Sequence, residues 1–202
     1  MGKRSPGHDA RPRDFWPTPP EGIRPLLRLS DEVQPSKRFI EPCAGDGALV
    51  SGLEMNGWTC ELALDLEPQV PGILKHDASM LSRREELRGI DDPLIVTNPP
   101  WARKLIEPLL DDWFTFAHQI WLLHPLDWLA NQWMGRFNRH IDMIVPIGRV
   151  SWLQNGQAGK ENSTWVRYTP RTVQDMVMAR PVTSRRAPKK QIEMEFYEGL
   201  LD

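Results

Sequence analysis

The sequence predicts an open, mostly parallel α/β sheet with helices on both faces and an antiparallel hairpin at one edge. Three observations predict it. Short apolar runs that end in polar residues alternate with segments of helical periodicity, the pattern of repeated strand, helix, strand units. The run Pro93-Leu94-Ile95-Val96 is apolar without alternation, as a parallel strand buried on both faces requires. Near the end, two strand-like stretches flank a loop rich in Gly and Asn, Gln154 to Ser163, and read as a strand pair. With 202 residues and 40% hydrophobic content, the chain suits one globular domain.

Residues 1–13 are rich in Arg, Pro and Gly without periodicity and are expected to form a disordered basic arm. Asp14-Phe15-Trp16-Pro17-Thr18-Pro19-Pro20 reads as an extended segment ending in a helix N-cap at Thr18, with Glu21 three residues on and the helix running to about Leu29. Pro35 to Lys37 breaks the chain before a strand over Arg38–Glu41. A tight turn from Pro42 to Gly47 leads into a helix from Ala48 to Asn56, closed by Gly57. Trp58 to Leu66 alternates as a second strand with the acids Asp65 and Glu67 at its end, and Lys75-His76-Asp77 is a short edge strand. A brief helix over Arg83–Arg88 precedes the strand Leu94–Thr97, and a helix runs from Lys104 to about Phe116. His118–His124 is the fifth strand, Leu126–Phe137 a helix, and Ile141–Trp152 and Thr164–Tyr168 are the final pair.

Composition narrows the function. There is no run of 18 apolar residues and the first eight residues are polar apart from Met1, so a soluble, cytoplasmic protein without a membrane partner is expected. Cys43 and Cys60 are too few for a disulfide framework and are expected to be reduced and buried. The five histidines lack metal-ligand spacing and no Gly-x-Ser-x-Gly elbow occurs, which disfavours zinc and serine-hydrolase chemistry. A net charge of −2 argues against a strongly basic DNA coat. The basic residues nevertheless bunch at Lys3, Arg4, Arg11 and Arg13 and at Arg180, Arg185, Arg186, Lys189 and Lys190, either as solubilising tails or as arms that touch phosphates.

The chemistry concentrates in two places. Thr97-Asn98-Pro99-Pro100-Trp101 follows the apolar strand, at the carboxyl end where open α/β sheets bind ligands. Each proline holds its predecessor in extended conformations and donates no N–H. The segment therefore offers the Asn98 side-chain oxygen and the Pro99 carbonyl as neighbouring acceptors beside the flat Trp101 ring, a setting for a planar ligand bearing an NH2 group. The second place is Glu41-Pro42-Cys43-Ala44-Gly45-Asp46-Gly47, a strand-to-helix turn whose glycines let backbone approach a ligand. A dinucleotide site would prefer glycine where Val50 stands and would be repelled by Glu41 and Asp46, so the turn favours a cationic nucleoside. Asp65, 24 residues after Glu41, ends the next strand where acids accept hydrogen bonds from ribose hydroxyls.

On these two motifs the chain resembles the class I S-adenosylmethionine-dependent methyltransferases, which have a Rossmann-like fold, and within them the enzymes that methylate adenine N6 in DNA. Asp14-Phe15-Trp16-Pro17-Thr18-Pro19 also resembles the N-terminal motif of small phage and prophage adenine methyltransferases. The resemblance spans roughly residues 14–170, the expected methyltransferase domain, and leaves 171–202 as a partly basic tail in which Ile192–Leu201 has the composition of a short helix. It implies S-adenosylmethionine as cofactor, with Glu41, Gly45 and Gly47 at its amino-acid part, Asp65 at the ribose, Asp77 at the adenine, and Cys43 and Ala44 also cofactor-binding. Phe15, Trp16 and Thr18 would close over it. Asn98, Pro99, Pro100 and Trp101 would be the catalytic motif, acting on an adenine flipped from DNA and stacked on Trp101, without a metal. The family more often has Tyr or Phe where Trp101 stands. Only about a hundred residues follow the motif, so short or relaxed specificity is expected, read by the 153–163 loop, with Lys160 and Arg167 as phosphate contacts. The same motif serves enzymes acting on RNA amines or on glutamine amides in protein, and a catalytically silent binding subunit is the reading from another class.

Overall fold

The sheet is organised by strands whose apolar side chains are needed on both of its faces. A computed structural model describes residues 15–178 apart from 30, 154 and 156. The strands are β1 (Arg38–Glu41), β2 (Thr59–Asp65), β3 (Leu74–Lys75), β4 (Leu94–Thr97), β5 (Gln119–Pro125), β6 (Ile141–Arg149), β7 (Asn162–Tyr168) and β8 (Val177–Met178). They lie in the order β3-β2-β1-β4-β5-β7-β6-β8. The first five run parallel, and β7 runs antiparallel between β5 and β6. The expected edge hairpin is therefore present, but β8 adds a further parallel pairing outside it, from the segment assigned to the tail. The basic arm, Asp14, the Arg180–Lys190 cluster and the Ile192–Leu201 stretch lie outside the described residues.

All four residues of β4 are buried, and alternate side chains serve opposite layers. Leu94 and Val96 pack with Ile23 and Leu26 of α1 (Pro20–Leu27) and Leu49 and Leu53 of α2 (Ala48–Glu54). Ile95 packs on the other face with Ile106, Leu109, Leu110 and Trp113 of α3 (Arg103–Trp113). Three fully buried tryptophans tie the layers, because a buried indole N–H must find an acceptor. Trp113 donates to Ala78 O at 2.9 Å, Trp121 to Gln34 Oε1 at 2.8 Å and Trp165 to Gly22 O at 2.6 Å.

Several boundaries differ from the sequence expectations. Pro19, not Thr18, is the N-cap of α1, no side chain caps it, and the helix ends at Leu27. Glu21 instead accepts from Ser151 N at 3.0 Å. His76 and Asp77 fall outside β3, and the expected helix at Arg83–Arg88 is replaced by two 3-10 segments, Ala78–Arg83 and Glu85–Gly89. The stretch Leu126–Phe137 is likewise not one helix. Extended backbone at Asn131 separates 3-10 turns at Leu126–Ala130 and Gln132–Met134, followed by α4 (Gly135–Asn138). This break lets Trp128 stack on His124 while Met134 and Phe137 enter the core. β6 stops at Arg149, short of Trp152, after a left-handed Gly148 shifts its register. Cys43 and Cys60 are free but only half-buried.

Candidate active site

Because β1, β2, β3 and β4 are parallel, the segments that follow them line up along one edge of the sheet in the order of the strands. Asp77 comes after β3, Asp65 ends β2, Glu41 ends β1 and Asn98 follows β4. A cavity of about 860 Å³ opens along this edge. Of the residues picked out in the sequence, Phe15, Trp16, Thr18, Glu41, Cys43, Ala44, Asp65, Asp77, Asn98, Pro99, Pro100 and Trp101 line it, whereas Gly45, Gly47, Lys160 and Arg167 do not.

The glycine turn is held by backbone. Gly45 and Gly47 have φ of 55° and 76°, a region that side chains enter only with strain. Ala44 N donates to Leu64 O at 2.8 Å, Gly45 N to Asp65 Oδ2 at 2.8 Å and Gln69 N to Gly45 O at 3.0 Å. A Cβ on Gly45 would stand 2.3 Å from Phe15 Cε2. Gly45 thus makes room for the Phe15 ring, which itself lines the cavity.

Three acids differ in what already engages them. Asp65 accepts from Gly45 N and, through Oδ1, from Glu67 N at 2.7 Å, and so braces the turn. Asp77 caps the following 3-10 segment by accepting from Ser79 N at 2.9 Å and Ser79 Oγ at 2.8 Å, bonds that hold its carboxyl below the usual range. Glu41 is buried. Its Oε1 accepts from Thr97 Oγ1 and from Cys43 N at 3.1 Å, but its Oε2, also buried, has no hydrogen-bond partner among the described residues. Burial pushes the Glu41 carboxyl up to about 8, with the Asp65 charge adding and the Thr97 and Cys43 bonds opposing. Burial, with the Glu41 and Asp65 charges beside it, likewise raises the Cys43 thiol, which makes it a poor nucleophile.

On the β4 side, the Asn98 amide is oriented by its donors. Nδ2 donates to Trp16 O at 3.1 Å and to Thr18 Oγ1 at 3.2 Å, which leaves Oδ1 as the accepting end. Sequence reasoning missed this donor role, and it gives Thr18 a partner in place of the expected cap. Trp101 donates through Nε1 to Leu123 O on β5 at 3.0 Å and meets Trp152 edge-on, with centroids 5.1 Å apart. Its ring is a fixed wall.

Arg167, expected as a phosphate contact, is engaged within the fold and lies outside the cavity lining. It lies on β7 with its guanidinium donating to Asp142 Oδ1 at 2.8 Å and to Val33 O, so its charge braces the sheet. Lys160 is exposed on the β6–β7 connection. The cavity is also lined by Asp46, the second acid of the glycine turn, and by residues that the sequence reading assigned no role there, among them Glu67, Gln69, Ser79 and Lys104. Glu67 carried a signal, as an acid just past the end of β2. Lys104 carried one as well, three residues beyond the Asn-Pro-Pro-Trp motif. Buried His124 takes no part: Nδ1 donates to Pro125 O at 2.8 Å, so Nε2 accepts from Tyr168 OH at 3.1 Å. Burial lowers its pKa to about 4 and keeps it neutral. Among the described residues no group of three His, Cys, Asp or Glu is placed to hold a metal, and no helix is long and apolar enough to cross a membrane.

No protein-family model and no curated protein sequence matches the chain. Solved structures do. The methyltransferase subunit of a type I restriction-modification system from Streptococcus thermophilus is similar over 87% of this chain, with a TM-score of 0.59 and 11% identity. A structure described as an RNA methyltransferase from Pyrococcus horikoshii is similar over 77% of this chain and 86% of its own, with a TM-score of 0.54 and 14% identity. This is the class I methyltransferase fold. The chain spans about half the length of the Streptococcus subunit, 49%. At such identities the likeness concerns the methyltransferase fold.

Proposed function

We propose that the protein transfers a methyl group from S-adenosylmethionine to the N6 amino group of adenine in DNA. The observation that carries the reading is the cavity itself, which Glu41, with a buried oxygen unpartnered among the described residues, lines together with Asn98 and Trp101.

The residues present fit the cofactor. A buried carboxylate oxygen without a donor calls for a cationic or hydrogen-bearing group from a ligand, and the ammonium of the methionine part is one. Along the sheet edge, Asp77, Asp65 and Glu41 then fall in the order adenine, ribose, amino acid. Glu67 and Gln69 complete the ribose side, and Phe15, Trp16 and Thr18 cover the cofactor from the N-terminal segment. Bound S-adenosylmethionine supplies an electrophilic methyl on a sulfonium.

The chain's own residues prepare the acceptor. An exocyclic amine is a weak nucleophile because its lone pair is delocalised into the ring. Asn98 Oδ1 and the Pro99 carbonyl accept its two N–H bonds and favour the pyramidal nitrogen, gaining strength as positive charge develops there. Both acceptors are preorganised, Asn98 by its bonds to Trp16 and Thr18 and Pro99 by the Pro-Pro backbone. Trp101 holds the flipped base by its face. The proton finally leaves to water.

DNA is favoured by the likeness of residues 14–19 to small phage and prophage adenine methyltransferases and by the restriction-modification neighbour, and host cytoplasm would then be the site of action. An RNA amine is the second reading, favoured by the Pyrococcus neighbour. The test is transfer of labelled methyl to duplex DNA, RNA and a protein extract in parallel, with digestion to nucleosides. Label in N6-methyladenine from DNA, absent with Asn98→Ala, is expected; label only in RNA or protein would overturn the DNA substrate.

A further inference from the structure

We infer that Lys104 binds a backbone phosphate beside the target nucleotide, so that the substrate enters as part of a nucleic-acid strand and not as a peptide amide. The inference rests on the methyl-transfer reading above and names what the substrate side of that cavity recognises. Every other Asp, Glu, Lys or Arg lining the cavity is acidic: Glu41, Asp46, Asp65, Glu67 and Asp77. All five lie on or after β1, β2 and β3, the side that the reading above gives to the cofactor. Lys104 is the one cation in the lining among the described residues, and it stands three residues past Trp101 on the opposite side.

Its neighbour provides the contrast. Arg103, in the same first turn of α3, donates to Glu107 Oε2 at 3.1 Å and is neutralised within the helix. Four residues beyond Lys104 stands Pro108, and Lys104 has no ion pair among the described residues. The first turn of α3 holds no acid and its N-cap, Ala102, supplies no side-chain acceptor. A lysine there opposes the helix dipole, and the first intrahelical bond begins only at Leu105 N, to Ala102 O at 2.8 Å. An anion brought by the substrate answers both the lysine charge and this end of the helix. Beside Lys104, Leu105 and Trp101 give the cavity mouth an apolar floor. A cation over an apolar and aromatic floor suits an unstacked nucleotide, whose base and phosphate need different surfaces. A glutamine side chain would leave the lysine without a partner.

The test uses the full chain, labelled S-adenosylmethionine and an adenine-containing duplex, with KM followed against salt for wild type, Lys104→Ala and Lys104→Arg. In Lys104→Ala, KM for DNA is expected to rise about three- to tenfold while kcat and cofactor affinity stay within about twofold, and the log–log salt slope to shrink by about 0.9. Lys104→Arg should restore both. Equal KM and equal salt slope in wild type and Lys104→Ala would overturn the inference even if DNA is methylated. Wild type that methylates a glutamine peptide and no nucleic acid would overturn both the inference and the reading beneath it.

Discussion

After β1, β2 and β3 the chain presents carboxylates to the cavity, whereas after β4 it presents an amide, two prolines and an indole. The difference matches two kinds of ligand. A buried carboxylate oxygen is costly unless a cation or donor arrives, so the Glu41 side is built for a charged group. The Asn98 side offers neutral acceptors, which can draw on a neutral amine without holding a fixed charge beside it. The two sides meet at adjacent residues, since Thr97 donates to Glu41 and Asn98 donates to the 16–18 segment. One end of the Asn98 amide thus ties the β4 side to the 16–18 segment, while the other, Oδ1, is the acceptor proposed for the substrate.

The largest expected effect breaks the substrate side. Asn98→Ala should lower kcat by roughly 10²- to 10³-fold, the scale of losing one preorganised acceptor, and cofactor affinity by no more than about tenfold through the lost bonds to Trp16 and Thr18. Single-turnover transfer and cofactor titration of the same preparation measure the split. Gly45→Ala tests the cofactor side by shape. With φ at 55° and Phe15 Cε2 2.3 Å from the new Cβ, it should destabilise the fold by about 1–3 kcal/mol, read as a lower Tm, and weaken cofactor binding.

Trp101→Ala should raise KM for nucleic acid, by about 1–3 kcal/mol if the base stacks there, and leave cofactor affinity nearly unchanged in a direct titration. Arg167→Ala, outside the cavity, sharpens the comparison from elsewhere. Removing its partly buried pair with Asp142 should cost about 1–2 kcal/mol in denaturant melts, with the salt dependence of DNA binding unchanged.

How far these features were legible follows from the range over which each interaction acts. β4 and the turns after β1 and β4 could be read because continuous apolar residues, glycines and prolines act on the chain within a few positions. Thr18 could not. It carries a local capping signal, but Asn98, 80 residues away, takes its hydroxyl. Arg167 reads as a cation for phosphate until Asp142, on the neighbouring strand, is brought beside it. Arg83–Arg88 and Leu126–Phe137 read as helices, yet tertiary anchors such as the Trp113 bond to Ala78 and the Trp128 stack on His124 accompany short 3-10 turns there. The Glu41 motif was visible, whereas its unpartnered oxygen is a property of packing alone.

That oxygen offers the most direct test. Burial pushes the free Glu41 carboxyl up to about 8, so at pH 7 the free site is expected to hold a proton that a bound ammonium would displace, and cofactor affinity should rise with pH toward about 8. S-adenosylmethionine titrated calorimetrically at pH 7, in two buffers of different ionisation enthalpy, should release most of one proton from wild type and almost none from Glu41→Gln, which should also bind more weakly. No release from wild type, or equal release and equal affinity in the two proteins, would contradict the assignment of the acidic side to the cofactor.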